Sequence, residues 1–239
     1  MLHRTEGIVL KTFPFGEADL IVTYLTGEYG LLKAFAKSPR KIKSRFGSSL
    51  EPLTRARIAF WGKEDAALPR LTQSDIIHPF HTIRSSLRSF LRVCEMIELT
   101  LHFVPERDAN SKTYALLTET LQAMEADGEA RLLPVYYKLK LLEIAGFLPG
   151  LHSCGRCGTR GEVFYLAHGS VLCKGCAKGY ESPICLSQGA IRLSSTLLGW
   201  DPAKLGRLRP SEPLVAELTN VLDEHVRYVT EKKLKARAF

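Results

Sequence analysis

No apolar run in this 239-residue sequence approaches the ~20 residues that a membrane-spanning helix needs. Nor does it contain a GxxxxGKS or GxxxxGKT phosphate loop, a GxGxxG, an HExxH or a GxSxG. Carboxylates are not clustered in the way that holds catalytic Mg2+; Glu17 and Asp19 flank a turn, where a lone acidic pair usually serves the turn itself. The expectation is a protein that is not an enzyme and uses no nucleotide. No secretory signal is expected in the first residues either, because residues 8–10 are too short for an apolar h-region and Arg4 is soon followed by Glu6. A reducing cytoplasm is the expected setting, which disfavours disulfides.

What the sequence does carry is Cys154-Gly-Arg-Cys157 and Cys173-Lys-Gly-Cys176, two CxxC knuckles with fifteen residues between the second and third cysteine. A CxxC turn lets two thiolates converge on one ion, and a hairpin-length insert brings the second pair round to complete a tetrahedron. The competing arrangements are two disulfides or four unrelated thiols. The insert favours the metal, since residues 163–166 read as a strand, His168-Gly169-Ser170 as a turn and Val171-Leu172 as the return. Four thiolates close the shell and leave no place for an activated water, so the single expected Zn2+ is structural. It would contribute on the order of 10 kcal/mol to folding of its segment.

The formal charge is +8, and four thiolates around one Zn2+ would bring it to about +6. Residues 1–81 hold 12 Lys/Arg against 8 Asp/Glu, residues 82–148 hold 8 against 9, and residues 149–239 hold 13 against 8. Two basic ends flanking a near-neutral middle suggest a polyanion at the ends and a middle that packs or meets protein.

Residues 5–13, 20–25, 31–37, 55–61 and, more weakly, 68–77 read as strands rich in β-branched and aromatic side chains between glycine-containing turns. On the fourth, Ala56, Ile58 and Phe60 face one way and Arg55, Arg57, Ala59 and Trp61 the other. Five strands in about 75 residues with one long connection, 38–52, fit a small closed barrel of the OB type. Between Glu28 and Glu51 lie Lys33, Lys37, Arg40, Lys41, Lys43 and Arg45 and no acid. Cations on a Gly/Ser/Pro loop at a barrel rim can follow a flexible phosphate backbone, and Phe46, Phe35 or Trp61 could offer a face for base stacking. The bland alternative is a solvated loop with core aromatics, and Phe35 fits that description best.

From Thr82 the apolar period lengthens to about 3.6, with Ile83, Leu87, Phe90, Leu91, Cys94, Ile97 and Leu101 on one helical face. Further helices are expected from near Asn110 to near Gly128, through residues 132–142 to Gly146, over 187–198, and from a Ser211 cap onward, with His225 in the core. The basic run 232–237 suits a helix C-terminus. The expected fold is thus α+β: an OB-type β-barrel over 1–80, an α-helical domain over 81–150 and 187–239, and a four-cysteine zinc module inserted over 151–186.

Glu6-Gly-Ile-Val-Leu10, Phe15-Gly-Glu-Ala-Asp19, Ile21-Val-Thr23, Leu25-Thr-Gly-Glu-Tyr-Gly30, Ala36-Lys-Ser38, Ser44-Arg-Phe-Gly47 and Leu50-Glu-Pro52 together resemble the N-terminal signature of the RecO family of bacterial recombination mediators. The stretch from Lys138 to Pro149 is similar to that family's helix leading into its cysteine module. The resemblance implies DNA repair through recombination in the RecF pathway: binding of single- and double-stranded DNA, annealing of complementary strands without ATP, and partnership with RecR, with single-strand binding protein and, indirectly, with RecA. It implies a nucleoid-associated cytoplasmic protein, a DNA surface that includes the basic loop from Lys37 to Arg45, and Cys154, Cys157, Cys173 and Cys176 as zinc ligands. An apolar pocket with a cation such as Arg92 or Arg131 would suit the single-strand-binding-protein tail. The rival classes are a zinc-dependent nuclease, an RNA-binding regulator, and a zinc-containing nucleic-acid-binding or protein-interaction scaffold without annealing activity.

Overall fold

The computed structural model describes residues 1–40, 44–63, 66–127, 131–161, 163–177 and 183–231. The chain parts into two compact units, residues 1–90 with 104–125, and residues 91–103 with 126–239.

The first unit is built on a closed barrel of β1 (Leu2–Phe15), β2 (Asp19–Thr26), β3 (Gly30–Ala36), β4 (Arg55–Trp61) and β5 (Arg70–His78), in the order β1-β2-β3-β5-β4. This is the five-stranded OB arrangement. At 14 residues, β1 is long enough to pair on both sides. Its first half runs antiparallel to β4 and its second half to β2, and a register slip between Val9 and Lys11 lets the strand turn the corner. Alternation decides which side chains enter: Ala56, Ile58 and Phe60 of β4 join the core, while Arg57 and Trp61 point outward.

The connection from β3 to β4 ends in a short 3-10 turn, Gly47–Leu50. Phe46 and Leu50, each 3 % exposed, enter the barrel core from it. Phe46 is therefore a plug, which corrects the expectation that its ring faces a base. Burying an aromatic at the barrel mouth removes more apolar surface from water than stacking on a transient partner would.

Three helices follow: α1 (His81–Ser85), α2 (Leu87–Phe103) and α3 (Ser111–Ala126). The segment before α3 lies on the β2–β3 turn. Arg107 N–H donates to Leu31 O at 3.1 Å and Asn110 N–H to Gly27 O at 3.1 Å. Gly30, at φ +56°, makes this possible, because a Cβ there would sit 2.0 Å from Asp108 O. Residues 104–125 consequently assort with the barrel. The apolar face expected on α2 is shifted: Val93, Met96, Leu99 and Thr100 are buried, whereas Leu87 is 73 % exposed and Cys94 only half-buried. Arg88, Arg92, Glu95, Glu98 and His102 make a polar stripe, but apolar residues fill the wide remainder of the helix, so periodicity alone does not single out the buried part of it.

In the second unit α4 (Leu133–Ala145) is the central helix, with Val135, Tyr136, Leu139 and Leu142 buried. It is apolar on nearly every side, as a helix packed all round must be. Its one buried charge, Lys138, is 2 % exposed and donates to Glu95 at 2.7 Å and to Asp223. Gly146 at φ +79° ends the helix, its N–H returning to Leu142 and Glu143 carbonyls. Packed with α4 are α5 (Gln188–Gly199) and α6 (Glu212–Thr230), joined by a 3-10 turn at Pro202–Arg207 in the expected loop. Ser187 caps α5 through its side chain, accepting from Ala190 N–H. Ser211 stands at the N-cap of α6 but makes no side-chain cap bond; its carbonyl takes Leu214 N–H, and Pro213 sets the first turn. His225 is buried as expected, its Nε2 bonded to Phe147 O at 2.8 Å. Gly128 and the basic run 232–237 lie outside the described residues.

Candidate metal centre and nucleic-acid interface

The four knuckle cysteines converge. Their Sγ atoms all lie within 4.8 Å of one another, with Cys157 and Cys173 at 3.6 Å. A tetrahedral metal with bonds of about 2.3 Å to sulfur needs edges of roughly 3.8 Å, so this donor set fits one. A small sheet of β6 (Val163–Tyr165), β7 (Ser170–Leu172) and β8 (Ile184–Cys185), in the order β7-β6-β8, delivers them. The antiparallel pairing Val163↔Leu172 through Tyr165↔Ser170 returns the chain to place Cys173 beside Cys154. Each knuckle is closed by its own backbone: Gly158 N–H donates to Cys154 O at 2.9 Å, and Cys176 N–H to Cys173 O at 3.0 Å. Gly155 lies against β7 so closely that a Cβ would meet Ser170 Oγ at 2.2 Å. Cys154, Tyr165 and Leu172 form the buried base of the module.

The thiols are not equivalent. Hydrogen bonding from the Cys173 backbone, more than that from Cys157 and Arg156, holds the Cys154 thiol down to about 6. Cys176 is pushed up to about 12, chiefly by the adjacent Cys157 thiol and then by Cys173. Cys173 is lowered first of all by the Thr159 hydroxyl, which also lies 3.0 Å from Cys157 Sγ. Four sulfurs this close cannot all ionise unless a cation joins them, and a coordinated thiol does ionise. Thr159 has no metal-site signature in the sequence beyond following a CxxC by two residues.

The other constellation stands at one end of the barrel. Ser38, at φ +54°, donates its N–H to Asp19 Oδ1 at 2.6 Å, and Arg40 N–H reaches Ala18 O at 3.3 Å. The start of the basic connection is thereby tied to the β1–β2 turn. Asp19 therefore does more than serve its own turn, and no local pattern pointed to Ser38 as its partner. Lys37, Arg40 and Arg45 are exposed; the Arg45 guanidinium lies 4.9 Å from the Phe46 ring centroid and covers it. Lys33, further back on β3, pairs with Glu106, both side chains being about half exposed. Such a pair is worth about 0–1 kcal/mol and can yield to a phosphate. Lys41 and Lys43 lie outside the described residues. Arg131 donates to Glu212 at 2.6 Å.

A five-stranded OB-type barrel with a basic, anchored connection, followed by a helical unit that carries a four-thiol cluster able to hold a metal ion, defines the class of protein. The model of the Recombination protein O N terminal matches residues 1–80, and that of the Recombination protein O C terminal matches residues 84–238. The chain belongs to the RecO family. It is 45 % identical over 232 residues to the DNA repair protein RecO of Thermodesulfovibrio yellowstonii, covering 95 % of this chain and 92 % of that one. It is 31 % identical to the RecO of Symbiobacterium thermophilum, over all of this chain and 96 % of that one. With the RecO of Dehalococcoides mccartyi it shares 30 % identity over 98 % and 92 % of the two chains.

Proposed function

We propose that this protein is a DNA-binding recombination mediator in DNA repair. It binds single- and double-stranded DNA, anneals complementary strands without ATP and, with RecR, helps load RecA onto DNA coated by single-strand binding protein. The observation that carries the reading is the anchoring of Lys37 and Arg40 at the barrel end, in a chain whose relatives are named as DNA repair proteins. Cations there neutralise phosphates on strands held together and so lower the repulsion that opposes pairing. If all six cations from Lys33 to Arg45 contacted single-stranded DNA, they would contribute a log-log salt slope of about −4.

The metal is Zn2+, one per chain, held by Cys154, Cys157, Cys173 and Cys176. Four soft thiolates in tetrahedral reach suit it, and a closed shell supplies folding energy to the second unit rather than chemistry. Incubation of complementary strands with the protein, first without nucleotide and then with Mg2+ or Mn2+, tests the reading. Duplex should form at low salt and the strands should come back uncut. Cleavage would point to a nuclease, and binding without annealing to a scaffold.

A further inference from the structure

The outer surface of the barrel carries one continuous row of side chains across its strands. Phe13 stands opposite Ile21, Ile21 opposite Phe35, Phe35 opposite Arg70, and Arg70 opposite Trp61. Neighbouring strands lie about 4.8 Å apart, so these residues are lateral neighbours. Phe13 is 60 % and Trp61 61 % exposed, and Phe15, two positions along β1 from Phe13, is 51 % exposed. Phe15 and Phe35 meet edge to face with centroids 5.9 Å apart. Large aromatic rings left in water side by side are a cost to the free protein and mark a surface that meets something.

Charge identifies the occupant. Asp19, the register partner of Phe15, holds Ser38, and Ala18 holds Arg40, so exposed Lys37 and Arg40 leave the barrel beside these rings. Arg70 interrupts the aromatic row itself and is exposed. Flat apolar rings interleaved with cations match a polymer that presents bare π-faces and phosphates together. Single-stranded nucleic acid does so, whereas a duplex hides its base faces in the stack.

We propose that Phe13, Phe15, Phe35 and Trp61 form the platform on which bases of single-stranded DNA stack, with Lys37, Arg40 and Arg70 taking the phosphates between them. The inference rests on the DNA-binding reading above and adds the surface and the strandedness. It replaces Phe46, which is inside the barrel.

The test is the affinity of the full chain for oligo-dT and for a duplex of equal length, in the wild type, in Phe13→Ala with Phe15→Ala, and in Phe13→Tyr with Phe15→Tyr. Both rings are exposed, so removing them should leave thermal unfolding within a few degrees. The alanine variant should lose at least about five-fold in single-strand affinity, the low end of one base stack, while duplex affinity and salt slope stay as they were. The tyrosine variant should bind like the wild type. In a Trp200→Phe background Trp61 is the sole tryptophan, and its emission should be quenched by oligo-dT and not by duplex. Unchanged single-strand affinity, or equal loss for both DNA forms, would overturn the platform; so would normal DNA binding with lost self-association, which would assign the row to a second copy. A wild-type protein that binds neither DNA at low salt would instead remove the DNA reading itself.

Discussion

Asp19 and Ser38 are nineteen residues apart in the chain, yet the Asp19 carboxylate accepts the Ser38 N–H at 2.6 Å and thereby sets where the basic connection leaves the barrel. A charged acceptor of this kind is worth about 1.5–3 kcal/mol. Asp19→Ala should lower stability by up to that amount and weaken single-strand binding several-fold, although no cation is removed. Asp19→Asn keeps an acceptor and should restore most of both. Denaturation and DNA titration of the two variants check this, and an alanine variant with wild-type DNA affinity would dissociate the anchor from binding.

Lys37→Glu with Arg40→Glu should weaken DNA binding and annealing without unfolding the protein. Every single-strand phosphate that the variant no longer neutralises should flatten the log-log salt slope by about 0.7. Titrations at a series of salt concentrations measure it. Unchanged affinity at moderate salt would remove the loop from the interface.

Removal of the metal, by chelation or by Cys154→Ser, should destabilise the second unit while sparing annealing per folded molecule. Cys154 is buried against Tyr165 and Leu172 in the base of the module, so serine there sets a hydroxyl in an apolar cluster as well as opening the thiol set. Metal content, thermal unfolding and annealing of the soluble fraction should be measured together. A metal-free variant as stable as the wild type would contradict a structural ion.

Lys138 is 2 % exposed between Glu95 and Asp223. Lys138→Met deletes the ammonium and leaves both carboxylates at a buried site, which should cost about 3–5 kcal/mol. Restoring neutrality with Glu95→Gln and Asp223→Asn should recover part of it, as a denaturation series would show.

His225 supplies the pH dependence. Burial, only partly offset by the bond to Phe147 O, holds its imidazole below the ordinary value of 6.5 in the folded state. The unfolded chain therefore takes up the proton first. Stability from this group is fully present above pH ~6.5 and falls as pH drops from there to the lowered folded value. His225→Gln should remove that slope, and denaturant unfolding between pH 8 and 5 would reveal it.

The barrel was legible because period-two alternation is local: Ala56, Ile58 and Phe60 announce their inward face within seven residues. The four-cysteine cluster was legible for the same reason, each pair being a four-residue turn. What escaped depends on partners distant in sequence. Phe46 reads as a loop aromatic until the open barrel end that it fills is known, Phe13 reads as the last residue of a strand, and Phe15 reads as part of the turn after it. Phe13 and Phe15 stand in the half of β1 that pairs with β2 alone, beyond Ile8, the last residue paired with β4. On α2, where apolar residues fill the helix on both sides of the stripe Arg88, Arg92, Glu95, Glu98 and His102, only the packing around Val93 and Met96 distinguishes the buried side from Leu87.

The central claim is that cations at the barrel end drive strand pairing by neutralising phosphates. Its most direct test mixes complementary single strands coated with their single-strand binding protein, adds this protein without nucleotide, and follows duplex formation as salt rises. The account predicts acceleration at low salt that fades with increasing salt and is lost in the Lys37→Glu, Arg40→Glu variant. No acceleration at low salt by folded, metal-loaded protein, or acceleration indifferent to those two charges, would contradict it.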